Sequence, residues 1–488
     1  KLREICKAKD TDLFGLLPPP AVPVYTPGGF SAGTSGGPVS RPAPEPDAPA
    51  GERGGPSQGS GSVPDKAAPA DPDADYRMGI MYSHGDGVKK DFGKAAECFR
   101  KAASLGHGGA ACCLGWFLEK GHEVPGNLEE AARLYRIAAE QGSALAEERL
   151  GLMCLKGRGT EKDGGEAAKW FRKAAELGRV KAEYQLGNML LKGLGVRQDL
   201  TEASVWYRKA AEDGHAGSQS MLGYLYETGK GVPRDYAEAF SWYMKAAAQG
   251  DAYSESRLGE MYEKGLGIGQ DFAEAALWYR KAAEHGDADA ACSLGKMYWD
   301  GRGVRRDNAA AASWYERAAE LDSAEAGYLL GRIFYYGHGE PQDVAKAAEL
   351  FRRSAELGNA GAQNSLGFMY KNGKYFRQDY REAARWFRMS AEQGNQYAQC
   401  SLGWLYRSGL GVERNLAEAA VWYRKSAEQG NANAQNCLAL MYRSGSGVRQ
   451  DYAEAAKWYR KAAEQGNAGA ECSLGWLCER GLGVRRDY

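Results

Sequence analysis

Small and hydrophobic residues recur at a fixed interval from Tyr76 to the end of the chain. A glycine, usually preceded by leucine, returns after 36 residues or a multiple of 36. It stands at Gly79, Gly115, Gly151, Gly187, Gly223, Gly259, Gly295, Gly331, Gly367, Gly403 and Gly475. Ala439 occupies the one place in the series where the glycine is missing. Twelve units in register, with no insertion, predict a single supersecondary unit copied in tandem.

Within one unit, the order of polar and apolar positions predicts two helices. The first segment has Ala434, Leu438, Met441 and Tyr442 at helical spacing, which predicts an amphipathic helix A with one buried stripe. A Gly-x-Gly pair follows in ten of the twelve units. This pair favours a helix exit, because glycine readily adopts a positive φ.

The second helix of the unit, helix B, is marked at both of its ends. In the same unit it starts after Asp451 and closes at Gly466. Asp or Asn stands at this N-cap in all eleven complete units, and Glu follows three residues later in eight of them, which is a capping-box pattern. The exit position is glycine in ten of eleven units, with Asp322 as the exception. Each unit is therefore predicted to be a helix-turn-helix.

Composition divides the chain near residue 75. Before Tyr76 lie 14 of the 17 prolines and only three aromatic residues, Phe14, Tyr25 and Phe30. So few large apolar groups cannot offset the entropy of ordering the chain, so residues 18–72 are predicted to be a disordered Pro/Gly/Ala-rich linker. Residues 1–17 are predicted to hold a short helix left from an upstream region, and residues 73–488 to form the repeat domain.

Charge and hydropathy argue against two classes of partner. The chain has 63 Lys plus Arg and 63 Asp plus Glu, so it lacks the net positive charge that non-specific nucleic-acid binding requires. No apolar run approaches the roughly 20 residues that span a bilayer. We therefore expect no nucleic acid as partner and no membrane insertion of this chain.

Neither a metal, a cofactor nor a catalytic group is predicted. The Gly-x-Gly pairs follow the C-terminus of helix A, where the helix dipole disfavours phosphate, and no P-loop Lys-Ser/Thr accompanies them. The six histidines share no common place in the unit, whereas a metal site needs three or four ligands at one point. No Ser/His/Asp or Cys/His arrangement can be assembled from residues of different units.

The combined motif Leu-Gly-x-Met-Tyr, Gly-x-Gly-Val, Asp-x-x-x-Ala and Trp-Tyr-x-Lys-Ala-Ala-Glu-x-Gly resembles the Sel1-like repeat, a relative of the tetratricopeptide repeat. The likeness covers roughly residues 71–488. It implies an all-α, right-handed superhelical solenoid of about twelve 36-residue repeats whose helix A residues line a concave surface. It also implies a non-enzymatic scaffold or adaptor of bacterial signal transduction that binds a protein or peptide segment there.

Two alternatives stay open beside this reading. The cysteine-rich secreted branch of the family, associated with penicillin binding and β-lactam hydrolysis, carries a Cys late in each helix B. Here that place is alanine, as at Ala103, Ala139 and Ala463, which favours reduced thiols and a cytoplasmic location over a periplasmic or secreted one. The second alternative is a regulatory tail of a bacterial signalling kinase, because residues 1–10 resemble the last helix of a kinase C-lobe.

Some of the cysteines follow the repeat. Four cysteines share one place on helix A but lie two or more units apart, too far for disulfides among them. They are Cys112, Cys292, Cys400 and Cys472. The chain begins at Lys1 and stops at Tyr488 within a unit, so we expect both natural termini to lie beyond it. We also expect the end at Tyr488 to fray or to self-associate, because its last helix A lacks the cover of a helix B.

The best candidate site is the helix A position two residues after the leucine, which varies from unit to unit and points away from the buried stripe. Basic residues five after the leucine should lie next to it. The predicted partner-binding residues are Trp116, Tyr224, Phe368, Trp404, Arg407, Arg443 and Trp476. The recurring Trp-Tyr stripe of helix B, including Trp422, is instead predicted to be core. An alternative also stays open, in which the candidate aromatics only cover small side chains of helix A in the next unit.

Overall fold

The computed structural model describes residues 71–121 and 125–484. The helix predicted in residues 1–17 and nearly all of the predicted linker, up to residue 70, lie outside these ranges. The described chain forms two compact units, each of which contains several of the 36-residue repeats. We call them the first unit (residues 71–285) and the second unit (residues 286–484), and each 36-residue segment is called a repeat. Each unit is described by itself.

Both units consist of helix pairs, and no strand occurs among the described residues. The first unit contains α1 Pro72–His84, α2 Phe92–Ser104, α3 Gly108–Lys120, α4 Leu128–Glu140, α5 Ala144–Lys156, α6 Gly164–Glu176, α7 Val180–Lys192, α8 Leu200–Glu212, α9 Ala216–Thr228, α10 Tyr236–Ala247, α11 Ala252–Lys264 and α12 Phe272–Glu284. The second contains α13 Ala288–Asp300, α14 Asn308–Glu320, α15 Ala324–Tyr336, α16 Val344–Glu356, α17 Ala360–Asn372, α18 Tyr380–Glu392, α19 Gln396–Ser408, α20 Leu416–Glu428, α21 Ala432–Ser444, α22 Tyr452–Glu464 and α23 Ala468–Arg480. Odd-numbered helices are A helices and even-numbered ones are B helices, so the predicted all-α tandem architecture is confirmed.

Local chemistry sets the helix ends as the sequence predicts. Each B helix starts at an Asp or Asn whose side chain accepts backbone N–H bonds; Asp451, for example, accepts from Ala453 and Glu454 at 2.9 and 3.0 Å. Each A helix ends at a glycine in the left-handed region, such as Gly445 at φ 69°. The first helix begins at Pro72, with Asp71 as its cap, one residue before the predicted start of the repeat domain.

The A helices also have N-caps, which the sequence analysis missed. In eleven of the twelve A helices of the described chain, a side chain accepts a backbone N–H of the first turn, and only Arg179 makes no such bond. The caps are chemically mixed: Ser143, Asp251 and Asn431 serve, and so does His107 through Nδ1. Because the residue type changes from repeat to repeat, periodicity alone did not reveal them.

The periodic glycine of helix A allows helices A and B of one repeat to approach closely. A Cβ added at Gly367 would lie 2.6 Å from Cδ1 of Phe387, and one at Gly403 would lie 3.0 Å from Cδ1 of Tyr423. Real Cβ atoms do not tolerate the shorter of these distances without movement of the ring. The glycine recurs because an aromatic ring of helix B lies against its backbone.

In most Gly-x-Gly loops, the second glycine lies against the start of the preceding B helix. At Gly411, where φ is 70°, a Cβ would lie 2.0 Å from the carbonyl oxygen of Tyr380. The corresponding distance at Gly447 is 2.2 Å, to the carbonyl oxygen of Leu416. Among the described residues, the non-glycine residues with positive φ are Asp322 and Tyr375, both at places where other repeats carry glycine.

Adjacent aromatic residues of helix B have different environments. The second one is a buried Tyr or Phe; Tyr423 and Phe387, for example, are both 0% exposed. The tryptophan before it is buried in some repeats and half-buried in others, including Trp422, whose ring lies 4.2 Å from Nζ of Lys425. The core prediction holds for the buried tryptophans but is too strong for Trp422, which is only half-buried.

Candidate functional site

All seven predicted partner-binding residues lie half-buried on A helices. Trp116 and Tyr224 belong to the first unit, on α3 and α9, and the other five belong to the second unit. The aromatic members pack against buried core residues while part of each side chain stays accessible. The aromatic rings therefore cover the core, as one hypothesis has it, and also expose part of their surface, as a partner-binding role requires.

The two candidate residues of the first unit stand three repeats apart. Trp116 makes an edge contact with Phe117 at a centroid distance of 5.4 Å. Tyr224 accepts a hydrogen bond of 2.6 Å from Nζ of Lys230, which also lies 5.0 Å from its ring centroid. The A helices between them, α5 and α7, carry Leu152 and Asn188 at the equivalent position, so the aromatic surface is not continuous here.

In the second unit, one lysine connects two of the predicted aromatics. Nζ of Lys371 lies 5.5 Å from the ring centroid of Phe368 on its own helix and 4.5 Å from that of Trp404 on the next A helix. Phe368 meets the buried ring of Phe387 edge-on at 5.1 Å, which anchors it. Sequence analysis missed Lys371, although it occupies the same repeat position as Arg407 and Arg443.

The same arrangement recurs two repeats later. The guanidinium carbon of Arg443 lies 5.4 Å from the ring centroid of Trp476 on the next A helix, and that of Arg480 lies 4.6 Å from it. Apolar side chains and cations therefore alternate along four successive A helices, α17, α19, α21 and α23. We call this set the apolar-cation stripe: Phe368, Lys371, Trp404, Arg407, Leu440, Arg443 and Trp476.

The electrostatic character of the stripe follows from its helices. α17, α19 and α21 contain no Asp or Glu, and each contributes one cation, at the same repeat position. Burial lowers the pKa of the Lys371 ammonium relative to its ordinary value, because desolvation disfavours the charged form. The acid-free run ends at α23, which carries Glu471 and Glu479.

Acidic residues occupy the cation position in much of the first unit. Glu119, Glu227 and Glu263 stand there, and each accepts a hydrogen bond of 2.8 to 2.9 Å from the buried B-helix tyrosine of its own repeat. Arg257 forms an ion pair with Glu227 as well. These carboxylates therefore serve the repeat fold, because they accept hydrogen bonds from its buried tyrosine hydroxyls.

Several A helices carry a buried glutamine at the same repeat position. Nε2 of Gln435 donates to the carbonyl oxygen of Ala427 at 3.1 Å, and its Oε1 accepts from Nε2 of Gln465 at 2.8 Å. In the first unit, Glu147 and Glu183 occupy this position. Both are 3% exposed, each has one carboxylate oxygen without a hydrogen-bond partner, and burial raises the pKa of both.

Replacing Glu147 and Glu183 by glutamine should stabilise the first unit at neutral pH. The neutral amide supplies the donor that a buried carboxylate lacks, and we expect about 1 kcal/mol per site. Because the folded pKa exceeds the unfolded one, wild type loses stability as pH rises through the interval between them. Below that interval, both states are protonated, and the gain should shrink.

Urea denaturation at neutral pH and at a pH below the ordinary carboxyl range measures this difference. The reverse change, Gln435→Glu, is the control, and it should destabilise the second unit mainly at neutral pH. An equal gain at both pH values would show that packing, and not ionisation, distinguishes the two residues.

The remaining reactive side chains are cysteines and histidines. The nine cysteines in the described ranges are free thiols, and burial raises the pKa of Cys112 to about 11. Within those same ranges, no group of three or more His, Cys, Asp or Glu converges as a metal site. Apart from the N-cap at His107, a second histidine cap is His215, whose Nδ1 accepts from Ser218 N–H at 3.1 Å. Among the described helices, none combines the length and apolar character needed to cross a bilayer.

The repeat geometry corresponds to a known family. The family described as Sel1 repeat matches the chain twelve times, at residues 72–107, 110–143, 144–178, 180–215, 216–251, 252–287, 288–323, 324–359, 360–395, 396–431, 432–467 and 468–488. The chain belongs to the Sel1 repeat family. Solenoids of Sel1 and tetratricopeptide-like repeats are typical of protein-interaction scaffolds.

Solved structures of bacterial Sel1 repeat proteins are similar to this one. A protective antigen of uropathogenic Escherichia coli strains, with an SLR fold, shares 34% identity over 85% of this chain and 88% of that chain, with a TM-score of 0.70. A Sel1 repeat protein from Oxalobacter formigenes shares 34% identity over 63% of this chain and 90% of its own, with a TM-score of 0.54. Among curated proteins, no match to the chain was found.

Proposed function

We propose that this Sel1 repeat chain is a non-enzymatic scaffold that binds a protein or peptide segment on its A helices, mainly at the apolar-cation stripe of the second unit. The observation that carries the proposal is the alternation of partly accessible apolar groups and cations on consecutive A helices. Large aromatic and Arg side chains are the residue types that most often anchor protein interfaces.

The repeat scaffold does not require these residues, which supports a binding role. At the position of Phe368 and Trp404, other repeats carry Asn188, Glu260 or Arg332 and still fold in register. Structural positions, such as the glycine beneath Phe387, keep their residue type from repeat to repeat. Trp116 and Tyr224 belong to the same proposal as anchors on the first unit.

Selection from a random peptide library tests the proposal without assuming a partner. The intact chain serves as bait, and a Phe368→Leu/Trp404→Leu variant serves for counter-selection. Leucine is chosen because Leu440 fills the same position in the repeat that follows Trp404, so the repeat fold accepts leucine there.

Peptides selected in this way should bind the Leu variant more weakly, by about 1–3 kcal/mol for each lost anchor, measured by calorimetric titration. Trp422→Leu on helix α20 is the matched control, since it removes one half-buried tryptophan outside the stripe. Thermal melts should show both variants folded. Recovery of no peptide that discriminates between wild type and the stripe variant would contradict the proposal.

A further inference from the structure

We infer that the segment bound by the apolar-cation stripe is acidic, with carboxylates alternating with apolar side chains. This inference rests on the proposed function and specifies its partner. It follows from the order in which the stripe presents its groups: an apolar side chain and a cation follow one another from Phe368 to Trp476.

Two stripe cations, Lys371 and Arg443, lie over aromatic rings, whereas several cations of the first unit pair with carboxylates. In the first unit, Arg179 pairs with Glu148 at 2.8 Å, and Arg257 pairs with Glu227. In the described part of the second unit, Lys371 and Arg443 make contacts with rings and form no ion pair. A ring quadrupole offsets only part of the charge of a cation, so an added carboxylate would still gain a charge-assisted hydrogen bond.

The surroundings strengthen such a pairing. α17, α19 and α21 carry no acid that would repel an incoming carboxylate. Lys371 and Arg443 are half-buried, and charge interactions are stronger where water is partly excluded. Phe368, Trp404, Leu440 and Trp476 supply apolar contacts between the cations, so an apolar side chain of the partner can be buried between two carboxylate contacts.

Single-stranded nucleic acid also binds surfaces with cations and aromatic rings, but the ring contacts favour the peptide. Bases need an open ring face on which to stack. Lys371 already lies over the ring of Trp404, and both Arg443 and Arg480 lie over the ring of Trp476. A carboxylate needs the cations and leaves the rings in place.

Four fluorescent probes test the inference on the intact chain at physiological ionic strength. Three are short peptides in which leucine alternates with glutamate, with glutamine or with lysine, and the fourth is a single-stranded RNA of similar length. The glutamate peptide should bind at least about tenfold more tightly than the glutamine peptide, and the lysine peptide should bind least. Added salt should weaken the binding of the glutamate peptide more than that of the other two peptides.

Neutralising the stripe should remove this preference. The variant Lys371→Gln/Arg407→Gln/Arg443→Gln should lose about tenfold or more in affinity for the glutamate peptide. A control variant with the same loss of charge, Arg381→Gln/Arg385→Gln/Lys457→Gln, changes exposed side chains of B helices and should bind nearly as wild type does. Thermal melts verify that both variants are folded.

Each contrary outcome has its own meaning. No binding of the glutamate peptide, or equal binding by wild type and the neutralised stripe, overturns the inference. RNA that binds more tightly than the glutamate peptide and needs the stripe cations overturns it in favour of a nucleic-acid surface. If library selection yields peptides without acidic residues that still need Phe368 and Trp404, the inference fails while the proposed function stands.

Discussion

Gly411→Ala should destabilise the second unit far more than Gly430→Ala does. Both glycines have positive φ, at 70° and 98°, so both substitutions cost backbone strain of about 1 kcal/mol. They differ in their surroundings: the new Cβ at Gly411 would lie 2.0 Å from the carbonyl oxygen of Tyr380, whereas nothing lies within 4 Å at Gly430. We therefore expect a total cost of about 3 kcal/mol or more at Gly411 and about 1 kcal/mol at Gly430.

Urea denaturation gives the overall cost, and hydrogen exchange shows where the loss falls. Because repeat arrays can unfold in parts, the amides of α18 and α19 should lose protection in the Gly411 variant before those of α22. Similar costs at both glycines would indicate that the loop can shift to admit a side chain, as the loop with Tyr375 does at the equivalent position.

Tyr423→Ala should cost about 3–5 kcal/mol, the range for a large aromatic removed from a core. Tyr423 is fully buried, and its ring lies against the backbone of Gly403. Trp422→Ala should cost less, because Trp422 is only half-buried. This order qualifies the sequence-based expectation, which placed Trp422 in the core.

Tyr423→Phe is the matched control for the ring, and it should be neutral or slightly stabilising. The buried hydroxyl of Tyr423 makes no hydrogen bond within the described part of the chain, so its removal leaves no partner unsatisfied. Phe387 fills the same position one repeat earlier, so the ring alone satisfies the packing. Equilibrium denaturation of the three variants decides the order; a Trp422→Ala cost equal to that of Tyr423→Ala would contradict this assignment.

Much of the local structure can be derived from the sequence, because it depends on neighbouring residues. The N-caps such as Asp451 and the C-cap glycines such as Gly445 act within a few residues of the helix ends they define. The repeat interval then places each helix in register with its copies. The N-caps of the A helices were not predicted, because their residue type varies between repeats; His107 caps one helix and Ser143 caps the next A helix.

The candidate site is only partly visible in the sequence. The variation at the position of Phe368 and Trp404 was enough to select both residues. Lys371 was missed because its importance comes from lying over Trp404, which is 33 residues away in the chain and adjacent only when repeats stack. Glu183 was not singled out in the sequence, because it is the stacking of repeats that buries its carboxylate.

The sequence by itself determined that this protein is a tandem array of capped helix pairs, because periodicity and capping act over short distances. Only the tertiary structure decided which of two adjacent aromatics, Trp422 or Tyr423, enters the core. The two positions differ by about 100° on a helix and look equally apolar in the sequence. The ring of Tyr423 lies against the backbone of Gly403, and packing between helices produces that close approach.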